Sequence, residues 1–394
     1  MQYRQDPKSG NNLSALGFGC MRLPSSTLGR IDLEASEALV LQAVEQGINY
    51  FDTAYLYRGN EEALGIIVER NDLRNRIFIA TKLPHSRCET LEDIERFFAE
   101  QKARLRTDYF DYYLIHNVTN LTQWDKLVAL GIEEWIDRKK RAGEIRQIGF
   151  SYHGSQSDFP HLIDAYAWDF CQIQYNYVNV NYQAGRAGLE LAASRGLPVI
   201  IMEPLLGGKL ADGLPPKAVE AFKRCDPTTA PAAWGLRWIW NHPQATVVLS
   251  GMGTLEQLTE NVACAEHALP NALSDNELAC IDDVVDIFDE SNKVNCTGCN
   301  YCMPCPRGIN IPGCFSAYNA SFTHGRYEGL KQYVMCTGAG SNDPRWASDC
   351  VDCGACVKNC PQHIAIPDEL KAVRKRLQPA LFPHIIRLGS KLMG

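Results

Sequence analysis

The sequence predicts an α/β fold, a (β/α)8 TIM barrel followed by a small region made mostly of short helices and loops. Three observations lead there. Short apolar runs alternate with longer amphipathic stretches about eight times over roughly 250–300 residues, which is the size of such a barrel. Glycine punctuates the helix-to-strand returns at Gln46-Gly47-Ile48, Ala142-Gly143-Glu144 and Arg195-Gly196-Leu197, where a helix C-terminus favours positive φ. Around residues 289–294 the composition turns abruptly to Cys, Gly, Pro and Asn, and the alternation stops.

The strand candidates are 15–20, 48–52, 77–81, 109–116, 147–151, 170–175, 199–202 and 246–250. Helix-length segments between them include 33–46, 91–105, 127–142 and 189–195, and a further helix is expected over 275–288. A doubly wound open sheet is the runner-up. It lacks support, because Gly17-Phe18-Gly19 opens no G-x-G-x-x-G fingerprint after the first strand.

With 394 residues, 45% of them hydrophobic and 22% charged, the chain has room for one large domain and a smaller one. A net charge of -7 and a pI of about 5.8 give no electrostatic basis for nucleic-acid binding. The basic run Arg138-Lys139-Lys140-Arg141 reads as a solvated helix face. Residues 1–12 are polar and lack an apolar h-region, so no secretory signal is expected. No stretch approaches the roughly 20 apolar residues of a membrane span. The tail, 377–394, mixes Leu, Phe and Ile with Arg and Lys, and a docked or frayed terminal helix is preferred to a membrane contact.

Polar residues at the C-terminal ends of barrel strands invite a functional reading, because the loops there build the active site. The second strand ends in Phe51-Asp52-Thr53-Ala54, followed by Tyr55 and Tyr57. The third ends in Ala80-Thr81-Lys82 and the fourth in Leu114-Ile115-His116. A strand-end Asp alone caps a helix more often than it catalyses, but Asp, Tyr, Lys and His from adjacent strand ends suit carbonyl reduction. A carbonyl that accepts hydride needs a proton on its oxygen, and a Tyr hydroxyl, with an ordinary pKa of about 10, is a poor acid alone. A neighbouring ammonium lowers that pKa, and a carboxylate paired with the ammonium fixes its place. The assignment is Tyr57 as general acid, Lys82 as its tuner, Asp52 as the orienter and His116 as the group polarising the carbonyl. Tyr55 is the rival acid.

Of the 16 cysteines, six are scattered over the first 280 residues and ten lie between Cys296 and Cys360. Scattered ones such as Cys171, Cys225 and Cys264 read as small buried hydrophobes. The dense group asks for metal in a reducing compartment, hence a cytoplasmic chain. Two sets stand out, Cys296-x2-Cys299-x2-Cys302-x2-Cys305-Pro306 and Cys350-x2-Cys353-x2-Cys356-x3-Cys360-Pro361. The second is the C-x2-C-x2-C-x3-C-P run of [4Fe-4S] proteins, in which the fourth Cys serves the other cluster when two are present. Zinc is the alternative, but eight thiolates exceed what one zinc takes. Two clusters are favoured over one, with Cys296, Cys299, Cys302 and Cys360 on the first and Cys305, Cys350, Cys353 and Cys356 on the second. The first set is one residue short before its fourth Cys. Cys314 and Cys336 fit neither set and read as packing residues, with Cys336 a conceivable substitute ligand.

The barrel range resembles the aldo/keto reductase family. The matching pieces are Leu16-Gly17-Phe18-Gly19, Phe51-Asp52-Thr53-Ala54-x-x-Tyr57, Gly59-Asn60-Glu61-x-x-Leu64-Gly65, Ala80-Thr81-Lys82, Tyr113-Leu114-Ile115-His116, Ile148-Gly149-Phe150-Ser151, Pro204-Leu205-x-Gly207-Gly208, and Gly251-Met252 leading to Glu260-Asn261. The resemblance implies NADPH or NADH extended across the C-terminal face of the barrel. It implies that Ser151 and Gln172 hold the nicotinamide carboxamide, that Leu205 and Gly207 lie along the pyrophosphate, and that Ser250, Gly251, Gln257, Glu260 and Asn261 surround the adenosine. Gly19, in the first matching motif, and Met202, where the family often stacks an aromatic ring, complete the expected cofactor set. Tyr152 follows Ser151 where the family often has Asn, and 251–261 offers no Arg or Lys for a 2′-phosphate. Both nicotinamide cofactors therefore stay open.

The cysteine-rich region resembles a bacterial-type ferredoxin domain, and the whole resembles the branch of the family that carries one. The domains implied are a barrel over 1–290, a 4Fe-4S ferredoxin-type domain over 291–375 and a C-terminal tail over 376–394. The expected function is oxidation or reduction of a small carbonyl or alcohol with NAD(P)H, the clusters exchanging electrons with a partner protein. Two alternatives accompany it: a conventional NAD(P)H carbonyl reductase with structural or redox-sensing clusters, and a non-catalytic electron-relay module.

Overall fold

The computed structural model describes residues 1–26, 30–338 and 344–378, so most of the expected tail lies outside the described residues. The described residues form two compact units, one of Met1–Leu205 with Ala232–Ser274, the other of Leu206–Pro231 with the described residues from Asp275 onward.

The first unit opens with an antiparallel hairpin, β1 (Tyr3–Gln5) and β2 (Asn12–Ser14). Eight strands follow: β3 (Leu16–Gly19), β4 (Tyr50–Asp52), β5 (Phe78–Leu83), β6 (Phe110–Val118), β7 (Ile145–Tyr152), β8 (Phe170–Gln174), β9 (Val199–Met202) and β10 (Ala245–Ser250). They close into one parallel barrel in chain order, with β10 pairing β3. All eight expected strands are present. Strands buried on both faces must be apolar throughout, which is why each reads as a continuous run.

Alternate residues point inward. Tyr50, Ala80, Tyr112, Leu114, Phe170, Ile200, Val247 and Leu249 fill the interior together with Leu13 of the hairpin. Gly17 leaves room for them, since a Cβ there would come within 2.7 Å of Val247 Cγ1. The hairpin covers the N-terminal end of the barrel, where the Tyr112 hydroxyl donates to Asp6 Oδ2 at 2.8 Å. Asp52, Lys82, His116 and Gln172 each stand two residues beyond an interior residue of the same strand, so they point inward at the opposite end.

The outer helices follow their local signals. Asp32 caps Leu33–Glu45, and Thr90 with Asp93 forms a capping box on Leu91–Leu105. The three return glycines have positive φ as expected: 93° at Gly47, 73° at Gly143 and 69° at Gly196. One expectation fails. The single helix over 127–142 is two helices, Leu121–Ala129 and Ile132–Arg141, because Gly131 takes φ 86° and caps the second.

Gly65 permits close packing of helix Asn60–Arg70 on helix Leu91–Leu105. A Cβ at Gly65 would overlap the Arg104 carbonyl oxygen and sit 2.8 Å from the Leu105 backbone. Gly65→Ala gains about 1 kcal/mol of helix propensity but meets rigid backbone, an overpacking cost of about 1–3 kcal/mol. Net destabilisation is expected in urea unfolding, and a variant as stable as the parent would contradict the close packing.

The second unit is helical and looped. Its longer helices are Pro216–Cys225, Asp275–Ser291, Ile311–Thr323, Arg326–Cys336 and Ile366–Leu377. Val294, Ile309, Phe315, Tyr333, Trp346, Leu370 and Val373 form its core, and six of the eight candidate ligand cysteines pack against that core. Cys225, read from the sequence as a packing residue, is instead joined to Cys280 in a disulfide between two helices. A pairing across 55 residues leaves no local trace in the sequence. Alkylation under denaturing conditions should label Cys225 and Cys280 only after dithiothreitol, and equal labelling of the two with and without it would refute the bond. Among the described residues no helix is long and apolar enough to cross a membrane.

Candidate active site and candidate cluster-binding cysteines

Lys82, at the end of β5, is the hub of the barrel site and is 1% exposed. Its Nζ donates to Asp52 Oδ1 at 2.5 Å, to the Thr53 carbonyl at 2.7 Å and to Tyr57 Oη at 3.5 Å. The other carboxylate oxygen of Asp52 accepts from Gln172 Nε2 at 2.9 Å, tying β4 to β8 across the barrel. Tyr57 sits on a turn in which its N–H donates to the Ala54 carbonyl and its own carbonyl accepts from Asn60. Gly59, at φ 77°, then starts the next helix, whose Asn60 amide donates to the Cys20 carbonyl. The Tyr57 ring meets the edge of His116 with centroids 5.9 Å apart. The structure thus brings Asp52, Tyr57, Lys82 and His116 together.

Tyr55 points elsewhere. Its hydroxyl donates to Glu100 at 2.8 Å and its ring lies under the Arg104 guanidinium, 4.2 Å from the centroid.

Burial holds His116 well below the ordinary imidazole pKa, helped by the positive charges of Lys82, His153 and His85, so it is neutral at pH 7. Burial likewise pushes His85 down to about 4. Below about 6.5 the unfolded chain takes up protons that these folded imidazoles refuse. The sign follows: stability is full above 6.5 and declines as pH falls towards 4. Thermal unfolding across that window should show a falling Tm, and a flat Tm would contradict it.

The expected cofactor residues are distributed as follows. The Ser151 hydroxyl accepts from Asn117 N at 2.7 Å. Met202 faces Gln174 in register and packs against the interior. Ser250 Oγ accepts from Asn261 Nδ2 at 3.1 Å, and Gln257 Oε1 accepts from Gly253 N at 2.9 Å, so these residues shape the loop after β10. Glu260 is exposed on the helix that follows. A Cβ on Gly19 would lie 3.3 Å from the Ser250 carbonyl oxygen, so Gly19 borders the same loop. Leu205 lies against Gly235, while Gly207, at φ 69°, belongs to the second unit. The Gln174 amide and Asn117 Oδ1 are buried and meet no hydrogen-bonding group among the described residues. Buried polar atoms left over at the mouth of a barrel fit a site built for a polar ligand.

In the second unit, Cys296, Cys299, Cys302 and Cys360 line one pocket with Ile311, Phe315 and Ile366. Burial, then the charges of Cys296, Cys299 and Cys360, push Cys302 up to about 12. Cys356 similarly feels Cys305, Cys350 and Cys353. Cys296, Cys299, Cys302 and Cys360 thus share one pocket, while Cys305, Cys350 and Cys353 are the sulfurs whose charges reach Cys356. Thiolates spread around a cavity are the donor set of an iron–sulfur cluster. Cys314 is buried in the core, and Cys336 Sγ donates to the Tyr333 carbonyl at 3.3 Å.

The family model of the Aldo/keto reductase family matches residues 15–286. The chain belongs to that family. A model of the 4Fe-4S dicluster domain matches residues 295–365, so this aldo/keto reductase is an oxidoreductase with a C-terminal 4Fe-4S region of ferredoxin type. It is 26% identical over 304 residues to the uncharacterized oxidoreductase YqkF of Bacillus subtilis, covering 67% of this chain and 91% of the relative. The barrel fold is shared with aldo-keto reductase AKR11C1 of Bacillus halodurans in its holo form, at TM-score 0.58 and 24% identity over 72% of this chain and 96% of the other. It is shared too with an aldo/keto reductase of Klebsiella pneumoniae in complex with NADP and acetate, at TM-score 0.58 and 22% identity over the same shares.

Gln101 and Arg22 of this reductase gave no signal in its sequence. Gln101 donates to Glu61, Thr81 and the Lys82 carbonyl, and Glu61 is buried against Thr81 at 2.7 Å, so a polar network backs the Lys82 strand. Arg22 lays its side chain across Gly251, with carbons 3.2–3.4 Å from where a Cβ would stand.

Proposed function

We propose that this aldo/keto reductase interconverts a small carbonyl and its alcohol with NADPH or NADH, and that its two cysteine quartets hold two [4Fe-4S] clusters exchanging electrons with a partner protein. The observation that carries the barrel half is the buried Lys82 ammonium, joined at once to Asp52, the Thr53 carbonyl and Tyr57 Oη. A bound nicotinamide supplies or accepts the hydride. The chain's own residues do the rest. Asp52, fixed by Gln172, holds Lys82 in one position, and the ammonium stabilises negative charge at Tyr57 Oη as that hydroxyl gives its proton to the carbonyl oxygen. A neutral His116 donates a hydrogen bond to the same oxygen rather than competing to protonate it. Ser151 and Gln172 would hold the carboxamide, Leu205 and Gly207 the pyrophosphate, and the loop of Ser250, Gly251, Gln257, Glu260 and Asn261 the adenosine, with Gly19 and Met202 beside them.

Cys353 is the exposed member of the second quartet, which suits exchange with an external carrier. The cytoplasm, where ligand thiols stay reduced, is the compartment this chemistry favours. Binding of NADPH and NADH followed by fluorescence, then their oxidation with a panel of aldehydes and ketones, tests the reading. It expects saturable binding of at least one cofactor and carbonyl-dependent oxidation. Absence of binding by both would end it.

A further inference from the structure

Lys209 lies in the excursion Leu206–Pro231, which packs as part of the second unit. Its ammonium donates to Asn292 Oδ1 at 2.8 Å and to the Val294 carbonyl at 3.0 Å. Asn319 grips the same two acceptors at 2.9 and 2.7 Å, and its own oxygen accepts from the backbone N–H groups of Lys293 and Val294. The segment two residues ahead of Cys296 is therefore held rigidly, with a cation built into its mooring. The hydrogen bond to the Val294 carbonyl sets the ammonium against the chain two residues ahead of the Cys296 ligand position; burial pushes the Lys209 pKa down to about 8, and the charge of Cys296 opposes that fall.

The second quartet stands in other surroundings. Cys353 is exposed, with Val351 59% and Val357 38% exposed around it, and the charges felt by Cys356 are those of its three fellow cysteines. The first quartet lines a cavity walled by apolar side chains. Net charge, solvent exposure and nearby donors set a cluster's reduction potential. A reduced cluster carries one more negative charge than an oxidised one, and a fixed ammonium in a half-buried setting stabilises it.

We propose that Lys209 makes the two clusters inequivalent, its charge beside Cys296 favouring reduction of the first. With clusters held by both quartets, Lys209 would favour one-electron transfer from the exposed second quartet to the first, the second giving up the electron that the first gains, with no proton and no bond exchanged. Lys209 acts here as a positioning residue for charge. The inference rests on the two-cluster reading above.

The test is an EPR-monitored redox titration of the anaerobically purified full chain, with iron measured on every sample. In the wild type, two separate midpoints are expected with about eight irons. Lys209→Met should lower the higher midpoint by at least the equivalent of a tenfold change in the reduction equilibrium, about 59 mV for one electron, and leave the lower one in place. Lys209→Arg should restore it, and Lys209→Gln serves if the Met variant does not fold. Midpoints unmoved in the neutral variants, or both moved together, with about eight irons present, would overturn the role of Lys209 alone. About four irons in the wild type would overturn the two-cluster reading, and this inference with it.

Discussion

Tyr57→Phe is expected to lower kcat/KM for carbonyl reduction about 10²–10⁴-fold, the usual worth of a positioned general acid. The substitution removes one oxygen and keeps the ring that meets His116. It also leaves Lys82 its two closer partners, Asp52 and the Thr53 carbonyl. The barrel should therefore fold and still bind NAD(P)H, so the loss falls on the chemical step. Tyr55→Phe is the matched control, since that hydroxyl is spent on Glu100. Undiminished turnover in Tyr57→Phe would sink the proton-donor assignment, and a fall in Tyr55→Phe alone would transfer the role to the rival.

The second large effect concerns iron. Cys302→Ala is expected to reduce iron and acid-labile sulfide from about eight to about four per chain, as one cluster loses a ligand and the other keeps its four. The fold should suffer as well. Cysteines pack directly against the small core of the second unit, so filled clusters complete that core, and binding energy there is folding energy. Cys314→Ala, which removes a buried cysteine outside both quartets, should leave iron near eight. Equal iron loss in the two variants would mean that the quartets are wrongly drawn.

Much of this was readable beforehand because the signals are local. An apolar run with a polar residue at its end announces both a barrel strand and its place at the mouth, so Asp52, Lys82 and His116 could be named before any contact was known. Cysteine spacing worked the same way, since Cys296, Cys299 and Cys302 reach one cavity from a single loop. What escaped depends on distant chain meeting in space. Cys225 and Cys280 lie in separate helices, Gln101 reaches Lys82 from an outer helix, and Arg22 approaches Gly251 from the opposite end of the barrel sequence. His85 and His153 carry no motif at all. Gly131 was the local miss: a left-handed glycine within an amphipathic stretch breaks a helix that periodicity alone continues.

Packed side chains fill the barrel below its mouth, and the hairpin, with Leu13 in that core and Asp6 accepting from Tyr112, covers the N-terminal end. Among the described residues, whatever reaches Asp52, Tyr57, Lys82 and His116 must then enter and leave by the same rim, so arrival and departure share one doorway.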